Sequence, residues 1–192
     1  GKYGLMRYLG VDDYFYDKSA IYKYQTENDI LIINKSLENR LSKDEIKSKT
    51  VFFDKKIFKG NSQFLRGNHN RENIAAAILV AKEFQVREKE IIRVVNSFKP
   101  SIYRQEVIRT IGKVTIINDS TSTTPTSTIK AIETFNDKPI ILILGGHSKN
   151  LPVNFLTDKL VEVDEIVLLK GSFTDEIYKE LNSKYKNKLS KI

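Results

Sequence analysis

The stretch Ile140-Ile-Leu-Ile-Leu-Gly-Gly-His-Ser-Lys-Asn150 decides how the chain is read. Five apolar residues closed by two glycines are the pattern of a fully buried strand that ends in a tight turn. On its N-terminal side, Pro125 to Phe135 reads as a helix, because proline suits a first helical turn. On its C-terminal side, residues 152 to 163 look helical. Glu165 to Leu169 is a second apolar strand, stopped by Gly171, and Phe173 to Tyr185 is a further helix. Strands alternating with helices imply parallel βαβ units. Residues 104 to 192 therefore read as part of a doubly wound α/β domain.

Further out, Glu106 to Thr110 and Val114 to Asn118 form a hairpin through Ile111-Gly112-Lys113. Lys99-Pro100-Ser101 interrupts the periodicity and marks a boundary between residues 1–99 and 100–192. Before it, Asn70 to Phe84 carries a wide apolar face of Ile74, Ala75, Ala77, Ile78 and Ala81. Glu88 to Phe98 is amphipathic, with Ile91, Ile92, Val95 and Phe98 inward. Asp29 to Asn34 and Val51 to Phe53 are short strands. Tyr14 to Tyr24 reads as one helix with an aromatic stripe, and residues 43 to 49 as a polar helical turn or two.

Composition narrows the class. Apolar residues make up 40% of the 192, enough for a core. The net charge of +8 invites a nucleic-acid hypothesis, but the lysines are interleaved with acids rather than gathered. The densest run, Lys184 to Lys191, reads as a solvated tail or a cut helix. There is no cysteine, so disulfides and thiolate metal sites are excluded, which is compatible with the cytoplasm. No apolar stretch approaches the roughly 20 residues of a membrane span. Gly1-Lys2-Tyr3-Gly4 is neither a signal peptide nor an initiator Met, so the chain is expected to begin inside a longer protein.

Five constellations carry chemistry. His69-Asn70-Arg71-Glu72-Asn73 puts two amides three apart at a helix start, where they can bind a purine, hold a loop or simply cap. Asn118-Asp-Ser-Thr-Ser-Thr-Thr-Pro125 places an acid and a row of hydroxyls between a strand and a helix. Free N–H groups there suit an anion. Gly145-Gly-His-Ser-Lys149 has the composition of a phosphate loop without the Gly-x-x-x-x-Gly-Lys-Ser/Thr spacing, which is found nowhere in the chain. Its lysine can bind a carboxylate or simply be exposed. Arg104, in Tyr103-Arg-Gln-Glu106, can clamp a phosphate or pair with Glu106. Lys18 by itself reads as a surface lysine.

The order and spacing of these pieces resemble the Mur ligase family, particularly its D-glutamate-adding branch. The likeness covers His-Asn-x-x-Asn-x-x-Ala-Ala, the Arg-x-Glu strand entry, Asn-Asp-Ser with its Thr-rich tail, and Gly-Gly-x-x-Lys. It spans nearly the whole chain and is most specific over 67–149. The resemblance implies that residues 1–99 are the latter part of a central ATPase domain, and that 100–192 begin a C-terminal Rossmann-like domain. It places the UDP-binding domain, the phosphate-binding loop and the last strands outside this sequence. It implies a carbamylated Lys18 as a Mg²⁺ ligand, Asn70 and Asn73 on the adenine side of ATP, and Arg104 at the phosphates. It also implies Asp119 near the ribose, with Thr123 and Lys149 holding D-glutamate.

The activity so implied is cytoplasmic, ATP-dependent joining of D-glutamate to UDP-N-acetylmuramoyl-L-alanine through an acyl phosphate, by a monomer without nucleic-acid or membrane partners. This stretch alone is expected to be inactive. The competing readings are a folylpolyglutamate-synthase-like ligase and a non-catalytic nucleotide-binding remnant. Two positions depart from the family pattern. Thr121 stands where many members carry Lys, and no His precedes the Lys18 helix within Gly1 to Arg7.

Overall fold

A computed structural model of the chain describes residues 10–41 and 45–192. The missing His before Lys18 and part of the turn expected over 43–49 fall outside those residues. The described residues fall into two compact units. One holds the chain up to Gly60 together with Arg71–Arg93; the other holds Asn61–Asn70 and Val94–Ile192.

In the first unit, helix α1 (Val11–Lys18) is followed by the short helix α2 (Ala20–Lys23), so the single helix expected over 14–24 is divided. The reason lies in Ser19, whose buried hydroxyl donates back to the Tyr16 carbonyl and competes with the regular ladder. Strand β1 (Ile30–Asn34) pairs in parallel with β2 (Lys49–Phe53). Asp29 enters β1 through a turn in which its carboxylate accepts from the Thr26 N–H and hydroxyl, and these bonds hold its pKa below the ordinary value. Alternate β1 residues Leu31 and Ile33 point inward with Tyr22, against Leu37, Leu41, Ile46 and Phe52. Asn34 caps a 3-10 turn over Lys35–Arg40 that the periodicity does not reveal.

Helix α3 (Asn68–Glu83) buries Ile74 and Ala75. On α4 (Glu88–Ser97), Ile91 and Val95 are buried, four apart on one stripe. Ile92 and Phe98, expected inward, are about half exposed because the buried stripe is narrower than the apolar pattern.

The second unit begins its sheet structure with the hairpin of β3 (Glu106–Ile111) and β4 (Val114–Asn118), turned at Gly112 with φ +58°. Next come α5 (Pro125–Phe135), β5 (Ile141–Leu144), α6 (Asn154–Lys159), β6 (Glu165–Leu168), α7 (Ser172–Tyr185) and β7 (Leu189–Lys191). Strands β5, β6 and β7 are parallel neighbours in that order. The core joins Ile132, Leu144, Leu156, Leu160, Val163, Ile166, Leu168, Ile177 and Leu181 from helices, sheet and the turn between them. Nine such side chains removed from water are the main source of this unit's stability, at about 1.5–3 kcal/mol each before entropy.

Two expectations are corrected here. Strand β5 is not fully buried: Ile141 and Ile143 are 65% and 62% exposed, because they alternate away from the helix-covered face. The run Lys184 to Lys191 is not a solvated tail, since it ends in β7, which pairs with β6. Three of its four lysines are engaged. Lys184 bonds Asp158 and Glu180, and Lys188 donates to the carbonyls of Leu160, Val161 and Val163. Lys191 pairs with Asp175 at 3.5 Å.

Candidate functional site

The carboxyl ends of β4 and β5 carry the polar clusters singled out in the sequence, where an α/β sheet places its ligands. After β4, Asn118 Oδ1 accepts from the Ser120 N–H and starts the descent into the hydroxyl-rich loop. Several of the hydroxyls there have specific partners. Thr121 Oγ1 donates to the Tyr103 carbonyl at 2.8 Å, and Ser122 Oγ to Asp119 Oδ2 at 2.6 Å. Thr124 is the N-cap of α5, and with Ser127 it completes a capping box ahead of Pro125. Capping thus occupies Thr124 but leaves Thr123 turned elsewhere.

After β5, the loop Gly145–Asn150 is bound to the start of α7. Gly146 accepts from the Phe173 N–H at 3.1 Å, and the Ser148 N–H donates to Ser172 Oγ at 3.0 Å. Ser148 Oγ donates to Glu176. Gly171 passes so close that a Cβ on it would lie 2.4 Å from the Gly146 oxygen, and one on Gly145 would lie 2.6 Å from Leu169 Cβ. Glycine is required at both positions by this approach.

The two loops meet. Lys149 Nζ lies 2.8 Å from Thr123 Oγ1, across 26 residues of sequence. They face a cavity of about 240 Å³ lined by Ser122, Gly146, Ser148, Leu151 and Phe173 among others. An ammonium beside a hydroxyl in a glycine-lined cavity suits a small carboxylate. Phe173 is not legible as a site residue, and Ser148 is read only as part of the Gly145–Lys149 stretch. The only signal was the second strand-to-glycine turn at Gly171, which mirrors the first.

The remaining candidates lie apart from that cavity's lining. Asp119 spends one carboxylate oxygen on the Gln105 N–H at 3.1 Å and the other on Ser122. Glu106 accepts from the Tyr103 N–H rather than from Arg104. Arg104 is exposed, and its guanidinium makes no hydrogen bond or ion pair among the described residues. Tyr103 and Gln105 on either side of it have φ of +66° and +46°. Gln105 Oε1 is buried without a hydrogen-bond partner among the described residues.

Asn70 does not cap α3, which starts two residues earlier. It sits in the first turn, and its Nδ2 donates to the Arg66 carbonyl at 2.7 Å. Asn73 is exposed one turn on. Their neighbour Arg71 donates to the Phe58 and Gly60 carbonyls and ties down that loop. Lys18, the last residue of α1, is exposed with Nζ 5.5 Å from the Tyr14 ring centre. Among the described residues no three His, Cys, Asp or Glu side chains converge to hold a metal.

With this geometry, comparison with known proteins gives a class. No protein-family model matches the chain. Its fold matches a MurF crystal structure from Acinetobacter baumannii with a TM-score of 0.65 over 96% of this chain and 52% of that one, at 14% identity. It matches MurC from Thermotoga maritima with a TM-score of 0.54 over 66% of this chain and 29% of that one, at 17% identity. Both likenesses concern the α/β fold. The chain belongs to the Mur ligase family. Its curated relatives include the UDP-N-acetylmuramoylalanine--D-glutamate ligases of Clostridium perfringens, 30% identical over 190 residues, and of Aquifex aeolicus, 31% identical over 179. Each alignment covers 87% of this chain, which spans 41% and 43% of those proteins' lengths. Among the described residues no helix is long and apolar enough to cross a membrane.

Proposed function

We propose that the chain is part of a cytoplasmic ligase that joins D-glutamate to UDP-N-acetylmuramoyl-L-alanine, with ATP activating the substrate carboxylate as an acyl phosphate. Residues 1–99 would belong to the ATPase domain and 100–192 to the C-terminal domain. The observation that carries this reading is the Lys149–Thr123 pair at the mouth of the cavity. One carboxylate of the amino acid would take the ammonium and the hydroxyl, replacing the bond they now make to each other. The apolar wall of Leu151 and Phe173 would receive its methylenes.

Arg104 would meet the phosphates of ATP, and Asn70 and Asn73 its adenine. Asp119 would reach the ribose with the lone pairs left after Gln105 and Ser122. A carbamate on Lys18 would add oxygen atoms for Mg²⁺. Ligation of this kind relies on positioning and charge stabilisation more than on a protein nucleophile. The 192 residues alone are expected to release no phosphate from ATP, because the phosphate-loop spacing is absent from them.

The test is a nuclear magnetic resonance titration of the chain with D-glutamate and L-glutamate. D-Glutamate should shift the Thr123, Gly146 and Lys149 resonances at millimolar concentration, and Lys149→Met should weaken binding at least tenfold. Equal binding by Lys149→Met would remove this reading of the cavity.

A further inference from the structure

We propose that Thr121 is a positioning residue for Arg104: its N–H and its hydroxyl both bind the Tyr103 carbonyl and hold the turn that presents the guanidinium. The functional part of this inference rests on the proposed role of Arg104 toward a polyphosphate.

The turn over Tyr103–Gln105 is unusual in itself. Two non-glycine residues with positive φ flank one arginine, a conformation that L side chains rarely adopt. Such backbone persists only where its surroundings over-determine it, and it concentrates at functional sites. The surroundings here are specific. Thr121 N and Oγ1 donate to the Tyr103 oxygen at 3.2 and 2.8 Å. The Tyr103 N–H is taken by Glu106 Oε2 at 2.8 Å, and the Gln105 N–H by Asp119 Oδ1 at 3.1 Å. The Arg104 N–H donates to the Ser101 carbonyl at 3.2 Å. Every N–H of the turn is bonded, while the guanidinium makes no bond among the described residues.

Asp119 is itself held by Ser122 through both its backbone oxygen and its side chain, at 2.8 and 2.6 Å. The loop after β4 therefore clasps the segment before β3 at two points, Thr121 on Tyr103 and Asp119 on Gln105. A threonine at this position supplies a short donor that reaches the Tyr103 oxygen. A lysine has no hydroxyl with which to do so. In this chain, position 121 serves Arg104 through the backbone instead of offering a charge.

The experiment uses the whole 192-residue chain, with Thr121→Val removing the hydroxyl at constant shape and Thr121→Ser restoring it. Amide hydrogen exchange at Gln105 and residue 121, and the HN–Hα coupling of Tyr103, report the turn. Inorganic tripolyphosphate binding reports Arg104, with Arg104→Ala as control. Thr121→Val should speed exchange at both amides by roughly three- to tenfold, the scale of one hydrogen bond. It should weaken tripolyphosphate by a similar factor, and Thr121→Ser should match the parent in both. Unchanged exchange and coupling in Thr121→Val would overturn the latch. Changed exchange with unchanged tripolyphosphate affinity would overturn its positioning role. If Arg104→Ala binds tripolyphosphate as the parent does, the phosphate assignment of Arg104 fails, and exchange and coupling alone decide the latch.

Discussion

Replacing Gly171 by alanine tests the closest backbone approach in the candidate site. Its φ of 163° is ordinary extended backbone, so the cost comes from space alone. The new Cβ would stand 2.4 Å from the Gly146 oxygen and 3.1 Å from its carbonyl carbon, both main-chain atoms that no rotamer change can move. Relief requires the Gly145–Asn150 loop to swing off the start of α7, losing the 3.1 Å bond from the Phe173 N–H. Overpacking of about 1–3 kcal/mol and a lost bond of about 1 kcal/mol sum to about 2–4 kcal/mol. Two other glycines calibrate the measurement. A Cβ on Gly112 meets nothing within 4 Å but sits at φ +58°, which costs about 1–2 kcal/mol. One on Gly10 meets neither obstacle and should change stability by less than about 0.5 kcal/mol. Hydrogen exchange of the Ile166 and Leu168 amides reads the opening free energy of the unit that holds Gly171, independently of the other unit. The Lys149–Thr123 pair should separate in the same variant, visible as a shift of the Thr123 resonance. Exchange in Gly171→Ala no faster than in Gly112→Ala, with Thr123 unmoved, would refute the close approach.

Leu160, fully buried between α6 and β6, should lose about 2–5 kcal/mol on truncation to alanine, measured by the same exchange. Thr124→Ala removes the α5 cap and should cost about 1 kcal/mol, read as faster exchange in the first turn of that helix. Lys188→Met would take a donor from three carbonyls, of which only that of Leu160 keeps another in the Val163 N–H, and should cost about 1–3 kcal/mol in urea unfolding. The Lys184 ammonium foremost, then the Thr157 hydroxyl, holds Glu180 below its ordinary 4.5, while Glu180 and then Asp158 hold Lys184 above its ordinary 10.5. Glu180's contribution to stability is complete above about 4.5 and lost as pH falls through its lower folded value. That of Lys184 is complete below 10.5 and lost as pH rises through its folded value. The stability gap between the parent chain and Glu180→Gln should therefore be constant near neutrality and close toward acid. A gap that persists at pH 2 would contradict the linkage.

The second unit was the more legible in sequence. Pro125, the paired glycines at 145–146 and Gly171 punctuate it at the points where turns demand those residues, so helix α5 was placed at its true ends. The first unit carries weaker punctuation. Ser19 breaks a helix through its side chain, and Asn34 opens a 3-10 turn through its own. Neither effect has a periodicity to betray it. The engagement of the Lys184–Lys191 run is not legible because, Glu180 apart, the partners lie 16 to 28 residues away. Thr123 and Lys149 came from resemblance, but their meeting needed three dimensions. The same holds for the hydroxyl loop. Its length exceeds what capping needs, yet only coordinates assign Thr121 to Tyr103, Ser122 to Asp119 and Thr123 to Lys149.

The internal engagement of the C-terminal lysines changes what the +8 formal charge means. Of the four between 184 and 191, one is sunk into peptide oxygens and two are matched by carboxylates, leaving Lys186 as the outward one. An approaching polyanion would meet two of these four charges already matched by carboxylates. The electrostatic reach of this region is therefore shorter than a tally of its basic residues implies.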